Sequence, residues 1–405
     1  MSADPIRVLF VDDDPNVLAA LRRMLHSFRE RWRPAFANGG AEALAALERE
    51  PFDVVVSDVR MPGMTGFELL EHVRERFPGV VRIALTGQSG REQVLPTVRP
   101  TQQFLAKPCD AETLRAVVER AVRLKRQLGA PGLQEIVGSV ETLPTLPRLY
   151  AELEAELRRP EPSVRRAAAL VARDIGMSAK VLQLVNSAFF APARRVNSVE
   201  RAVAMLGLDT LRTLVLGAHV FEQFRPDRAS GFQPEPLWHH SLHTAAISRK
   251  IVGDLGGGEE DESAALTAGL LHGAGKLLFA SYSPARFREV LEAIRRGASD
   301  CEAEFEVFGV THAEAGAYLL GLWGLPDPIV EAVAWHHHPI AHDHESPVLL
   351  ATHLADVVSV AILGANGERA LERAKQLLAP GIEGRSDLMD RLPNWVAAAE
   401  EGVAA

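Results

Sequence analysis

The sequence predicts two fold classes in one chain: an α/β doubly wound domain on a parallel five-stranded sheet, then an all-α helical domain. Three observations predict it. Short β-branched runs alternate with amphipathic helical patterns up to about residue 128. Beyond that point strand signals disappear and helical spacing dominates. The polar residues of the first part stand where its strand-like runs end, which is where chemistry sits in such sheets.

Ile6–Val11 is a continuous apolar run, as expected of a strand covered on both faces. Further strands are expected at Ala35–Ala37, Val54–Ser57, Ile83–Leu85 and Gln103–Leu105. Helical patterns lie between them, such as Val17, Leu18, Leu21, Leu25 and Phe67, Leu70, Val73. Asp110 is placed to cap a helix carrying Leu114, Val117, Val118, Ala121 and Val122 on one face. Val117, Ala121, Leu124 and Leu128 hint at a coiled-coil seam, but the run is short, and the core face of a last sheet-covering helix is the better reading. Gly129 to Gly132 stops that helix, and Pro144 and Pro147 mark the start of a new unit.

In the second part Ser163 reads as an N-cap before Val164, Ala167, Ala168 and Val171. Met177–Ser187 carries Val181, Leu182 and Val185; Ser198 precedes Val199, Ala202, Val203 and Leu206, with Gly207 as the stop. Gly256–Gly258 reads as a flexible turn, and Glu259 to Glu262 suit the first turn of a helix. A helix through Ala370–Leu378 and a frayed end are expected after residue 366. The resulting division is 1–128, a linker at 129–146, a helical domain at 147–365 and a tail at 366–405.

Composition sets limits. At 405 residues, 47% hydrophobic and 24% charged, the chain is that of a soluble globular protein with two or three domains. No apolar run is long enough to span a bilayer, and the start lacks the pattern of a signal peptide. Two cysteines give no disulfide framework, and a cytoplasmic location is expected. A net charge of −9 without a dense basic block disfavours direct nucleic-acid binding.

Asp12, Asp13 and Asp14 follow the first strand, Asp58 ends the third, Thr86 the fourth and Lys107 the fifth. Converging carboxylates repel one another unless a hard cation shares their site, and Mg²⁺ with oxygen ligands fits best. A lysine and a hydroxyl aimed at the same point stabilise an added anion, such as a phosphoryl group on a carboxylate. VLFVDDDPNVL, VVVSDVRMPGMTGFELL, ALTG and FLAKP together resemble the receiver domain of bacterial response regulators, over about residues 5–128. The resemblance implies a flavodoxin-like sheet and a sensor histidine kinase that phosphorylates Asp58. It implies Mg²⁺ on Asp12, Asp13, Asp58 and the Arg60 backbone carbonyl, phosphoryl contacts from Thr86 and Lys107, Phe104 as the switch aromatic, and cis geometry at Lys107–Pro108. One departure is the segment Arg91–Pro100, where the family has its fourth helix: Pro96 and Pro100 shorten or kink it, since an interior proline costs ~3 kcal/mol.

LPTLPRLYAEL, VLQLVNSAFF and SVERAVAMLGLDTLRTLVL, then WHHSLHTA, TAGLLHGAGK, THAEAGAYLL, WHHHP and HLADVVS, resemble the HDOD domain, a non-catalytic relative of the HD and HD-GYP phosphohydrolases. In the catalytic relatives, ligands fall at positions matching His240, His272, Gly273, His312, His336, His337 and Asp356. A glycine cannot ligate, and without its carboxylate a di-metal centre is left strongly positive. The output domain is therefore expected to lack its metal and to be no enzyme, with a single weaker site made of histidines left open. Gly273 is expected to permit close helix packing beside Ala274 and Gly275.

The expectation is a cytoplasmic response regulator of a two-component phosphorelay. Phosphorylation at Asp58 controls a non-catalytic HDOD output that acts by binding an unidentified protein target, and a homodimer is allowed. The rival is a metal-dependent phosphohydrolase, or a binder, of a cyclic dinucleotide such as cyclic di-GMP.

Overall fold

The computed structural model describes residues 5–87, 101–107, 109–128, 133, 136–138, 140, 143–186, 195–212, 215, 231–339, 346–363, 365–378, 380, 382 and 385–404. The expected helix at Arg91–Pro100, the Lys107–Pro108 bond and the stop at Gly129 to Gly132 lie outside these residues.

Five strands form: β1 (Ile6–Val11), β2 (Trp32–Ala37), β3 (Val54–Asp58), β4 (Val81–Gly87) and β5 (Gln103–Lys107). All pairs are parallel and the order is β2-β1-β3-β4-β5. The order reverses between β1 and β3, the switch point at which an open α/β sheet exposes its chemistry. Every expected strand is present. The second is longer than its apolar triplet because Trp32 to Pro34 also pair with β1, and Trp32 is buried. The helices Pro15–Met24, Gly40–Arg49, Gly66–Arg76 and Ala111–Leu128 cover the faces. Three of the four starts carry side-chain caps: Asp14 accepts from Asn16, Thr65 and Glu68 form a capping box, and Asp110 accepts from Thr113 at 2.8 Å.

From Pro147 onward the described residues are helical or loop, apart from the single bridge residue Thr145 just before them. Ser163 caps Val164–Val171 as expected, and Ile175–Asn186 is buried along almost its whole length. Gly207 does not stop its helix outright. At φ 75° it breaks the coil, which then resumes to Arg212. The expected frayed end is corrected: Leu392–Ala404 is a helix that buries Leu392, Trp395 and Val396, and Trp395 Nε1 donates to Asp254 at 2.9 Å.

The two parts share one contiguous apolar core. The helix His312–Leu322 lies against Ala111–Leu128, and an added Cβ at Gly321 would meet Leu124 Cδ1 at 2.5 Å. Leu124 is thus engaged inside the molecule, not in a coiled-coil seam. Polar side chains stitch the contact. Gln103 Nε2 donates to Leu322 O at 2.9 Å, and Gln183 Nε2 to Gln102 O at 3.3 Å. Arg120 binds the Leu325 carbonyl and pairs with Asp327 at 2.6 Å. The expected linker is no free tether where it is described. Leu133, Val137, Val140 and Leu143 are buried, and Arg82 donates to Gly138 O at 2.7 Å.

Candidate functional site

Parallel strands bring residues far apart in sequence to one edge of the sheet. Asp12 follows β1, Asp58 ends β3, Thr86 lies near the end of β4 and Lys107 ends β5. The Lys107 ammonium reaches Asp12 Oδ2 at 2.6 Å and Asp58 Oδ1 at 2.5 Å. Burial pulls the Lys107 pKa down, but its hydrogen bonds to Asp12 and Asp58 and their charges outweigh that and raise it. Asp12, Asp13 and Asp58 offer carboxylate oxygens within 4.8 Å of one another, so their donor set suits a hard divalent cation. Asp58 Oδ2 also accepts from the Arg60 backbone N–H at 3.1 Å. Thr86 is 3% exposed, and Phe104, opposite Ala84 in the sheet, is buried.

A second cluster lies among the helices. His240 comes from Pro234–Asp254, His272 caps Glu259–Leu271, His312 opens His312–Leu322, His336 caps Asp327–Trp335 and Asp356 belongs to Pro347–Ile362. His240 Nε2 lies 2.9 Å from Asp356 Oδ1 and 3.1 Å from His272 Nε2. His272 Nδ1 donates to Gly269 O at 2.6 Å and His336 Nδ1 to Val333 O at 2.9 Å. A carbonyl only accepts, so both rings carry their proton on Nδ1 and turn a lone pair on Nε2 toward the cluster. His240 Nε2–H then serves both the Asp356 carboxylate and His272.

Burial holds the His272 pKa down to about 3 and that of His336 well below the usual imidazole range. His337 falls to about 3, from burial first and then from His312. Burial works to raise the Asp356 pKa, but the hydrogen bond from His240 and the surrounding rings lower it well below the carboxylate range. His272, His336 and His337 are thus neutral rings near the Asp356 carboxylate.

Six of the seven expected positions carry a ligand-capable side chain here; position 273 is glycine. Gly273 is the N-cap of Ala274–Tyr282, and an added Cβ would meet Leu237 Cδ1 at 2.7 Å. Gly275 is tighter still, its added Cβ falling 2.0 Å from His312 O. The backbone contact at 275 leaves no room for a side chain, whereas at 273 a side chain requires only the end of Leu237 to shift. Sequence reasoning missed Glu304, buried and bonded to His312, and Cys301 beside it. Glu304 sits in an acidic helix, Asp300–Phe308, that reads as a solvated surface, and no motif marks it.

Comparisons with known proteins agree with this architecture. The response regulator receiver domain family matches residues 8–119, and the HDOD domain family matches residues 143–339. The hydrogenase transcriptional regulatory protein HoxA of Cupriavidus necator is 32% identical over 225 residues, covering 54% of this chain and 40% of that protein. The transcriptional regulatory protein GlrR of Escherichia coli is 37% identical over 123 residues, 30% of this chain and 27% of that one. The chain thus spans less than half the length of these curated relatives. A virulence factor of Campylobacter jejuni shares the fold, with a TM-score of 0.53 at 20% identity, over 66% of this chain and 97% of that one. Among the described residues no helix is long and apolar enough to cross a membrane. The chain thus joins a response regulator receiver domain to an HDOD domain, and in this it is similar to two-component response regulators.

Proposed function

We propose that a histidine kinase phosphorylates Asp58 and that the phosphorylated receiver alters how the HDOD domain is presented to a protein target. One observation carries the reading: Lys107 bridges Asp12 and Asp58 from the end of β5, the strand whose other end is bonded to the helical domain. Asp12, Asp13, Asp58 and the Arg60 carbonyl would hold Mg²⁺, which would supply the positive charge that a phosphoryl donor needs. The chain's own residues do the rest. Asp58 presents a carboxylate oxygen to phosphorus, and Lys107 and Thr86 hold the phosphoryl oxygens once it has transferred. Recruiting Lys107 to the phosphoryl group loosens its hold on Asp12. Such a change at one end of β5 disfavours the docked arrangement at the other, where Phe104 follows Gln103.

The output works by binding, not hydrolysis. With glycine at 273, Asp356 is the one carboxylate among the seven matched positions, too little to offset two divalent cations. The receiver extends to residue 128, the segment 129–146 joins it to the helical domain, and the residues after 366 complete that domain. Labelling with a small-molecule phosphodonor tests the first step: the wild type takes up one phosphoryl group and Asp58→Asn takes up none. Turnover of a cyclic dinucleotide with Mn²⁺ or Fe²⁺, lost in His272→Ala, would overturn the non-catalytic reading.

A further inference from the structure

One of the two cysteines lies beside the histidine cluster. Cys301, His312 and His337 each bring one ligand atom within 4.8 Å of the others. They come from three segments: the helix Asp300–Phe308, the start of His312–Leu322, and the turn after Asp327–Trp335. Glu304 Oε2 accepts from the His312 backbone N–H and from its Nδ1–H, each at 2.7 Å. Nδ1 therefore carries a proton, and Nε2 faces His337 Nε2, 3.2 Å away. Ligand atoms around a tetrahedral zinc ion lie about 3.3–3.8 Å apart, so this pair is close to the spacing of two ligands. A carboxylate behind the Nδ1–H is the usual partner of a metal-bound imidazole. Next to His337, His336 Nε2 is buried with no hydrogen-bond partner among the described residues, and it groups with His337 and Asp356, outside the Cys301 trio.

We propose that Cys301, His312 and His337 bind a single zinc-class divalent ion, with Glu304 as the residue that positions His312. Neither Cys301 nor Glu304 belongs to the motifs that point to the HD-type positions. Thiolate and imidazole select zinc, cobalt or ferrous iron over magnesium. Charge also closes. One dication faces the Cys301 thiolate and the Glu304 carboxylate, while the neighbouring Lys276 and Asp300 pair with each other at 2.5 Å. On binding, Cys301 gives its thiol proton to solvent as the sulfur–metal bond forms. The His337 proton moves from Nε2 to Nδ1, so one proton is released per ion. Three protein ligands leave a fourth position for water. This site goes beyond the proposed signalling role and does not depend on it.

The test is titration of the chelator-stripped full-length chain with Co²⁺ alone, read by absorption and proton release, with circular dichroism to verify folding. The expected result is one Co²⁺ per chain, a thiolate-to-cobalt charge-transfer band in the near ultraviolet, and one proton released. Cys301→Ser loses the band and Cys109→Ser keeps it. Glu304→Gln keeps the band with affinity weakened roughly 10- to 100-fold. Absence of the band in the folded wild type, or its persistence in Cys301→Ser, would overturn the site. So would binding lost in His272→Ala but retained in Cys301→Ser, which would put the ion beside His240 and Asp356.

Discussion

Gln103 donates its side-chain amide to the Leu322 carbonyl across 2.9 Å, tying the edge strand of the sheet to a helix end 219 residues further along the chain. Gln103 is 7% exposed, and its neighbours Thr101 and Gln102 are buried too. Buried amides at an edge strand make sense only if something covers that edge, and the helical domain does.

Removing that amide should loosen the contact. Gln103→Ala leaves the Leu322 carbonyl without its donor, a cost of about 1–3 kcal/mol. Urea unfolding should register the loss, and hydrogen exchange over residues 318–327 should quicken while the far strand β2 is unaffected. Unchanged exchange there would show that the contact is not maintained in solution.

Two glycines near the phosphoacceptor should behave differently. An added Cβ at Gly66 falls 1.8 Å from Asp58 O, whereas at Gly63, with φ 78°, nothing among the described residues lies within 4 Å. Gly66→Ala should therefore destabilise by about 1–3 kcal/mol and slow phosphoryl uptake by displacing Asp58. Gly63→Ala should cost about 1–2 kcal/mol of backbone strain and leave uptake near wild type. Thermal unfolding and phosphodonor labelling of both variants check the contrast.

Lys107 pairs with two carboxylates at once. Lys107→Ala should leave Asp12, Asp13 and Asp58 repelling one another, so the melting temperature should fall without metal and recover more on adding Mg²⁺ than in the wild type. An equal Mg²⁺ effect in both proteins would contradict the bridging role.

The helical domain should be sensitive to acid. His272 and His337 take a proton near 6.5 when unfolded but only at about 3 when folded. Between those values the unfolded chain binds more protons. Their contribution is complete above pH 6.5 and is lost as the pH falls toward 3, at about 3 kcal/mol per pH unit for the two together. Denaturant titrations in chelator across this range should show that slope, and His272→Gln should reduce it by about half.

The receiver was legible because each of its chemical residues stands at the end of a strand, and a parallel sheet turns strand ends into neighbours. Asp12, Asp58, Thr86 and Lys107 fall where the strand pattern puts them. The helical cluster was legible as a set of histidines but not as a network. Which nitrogen carries a proton depends on Gly269 O, Val333 O and Glu304, and no spacing rule marks those partners. The contact between the two parts was not legible at all. Gln102, Gln103 and Arg120 are polar residues in places that read as surface, and only the partner helix makes them interior. The last helix was misread for a similar reason, since Trp395 finds its cover on Asp254, far back in the chain.

The most direct test is hydrogen exchange of residues 318–327 in the full-length chain, before and after a phosphodonor with Mg²⁺, in the wild type and in Asp58→Asn. Signalling through β5 predicts faster exchange in the phosphorylated wild type and no change in the variant. Equal exchange before and after phosphorylation of the wild type, or the same change in both proteins, would contradict it.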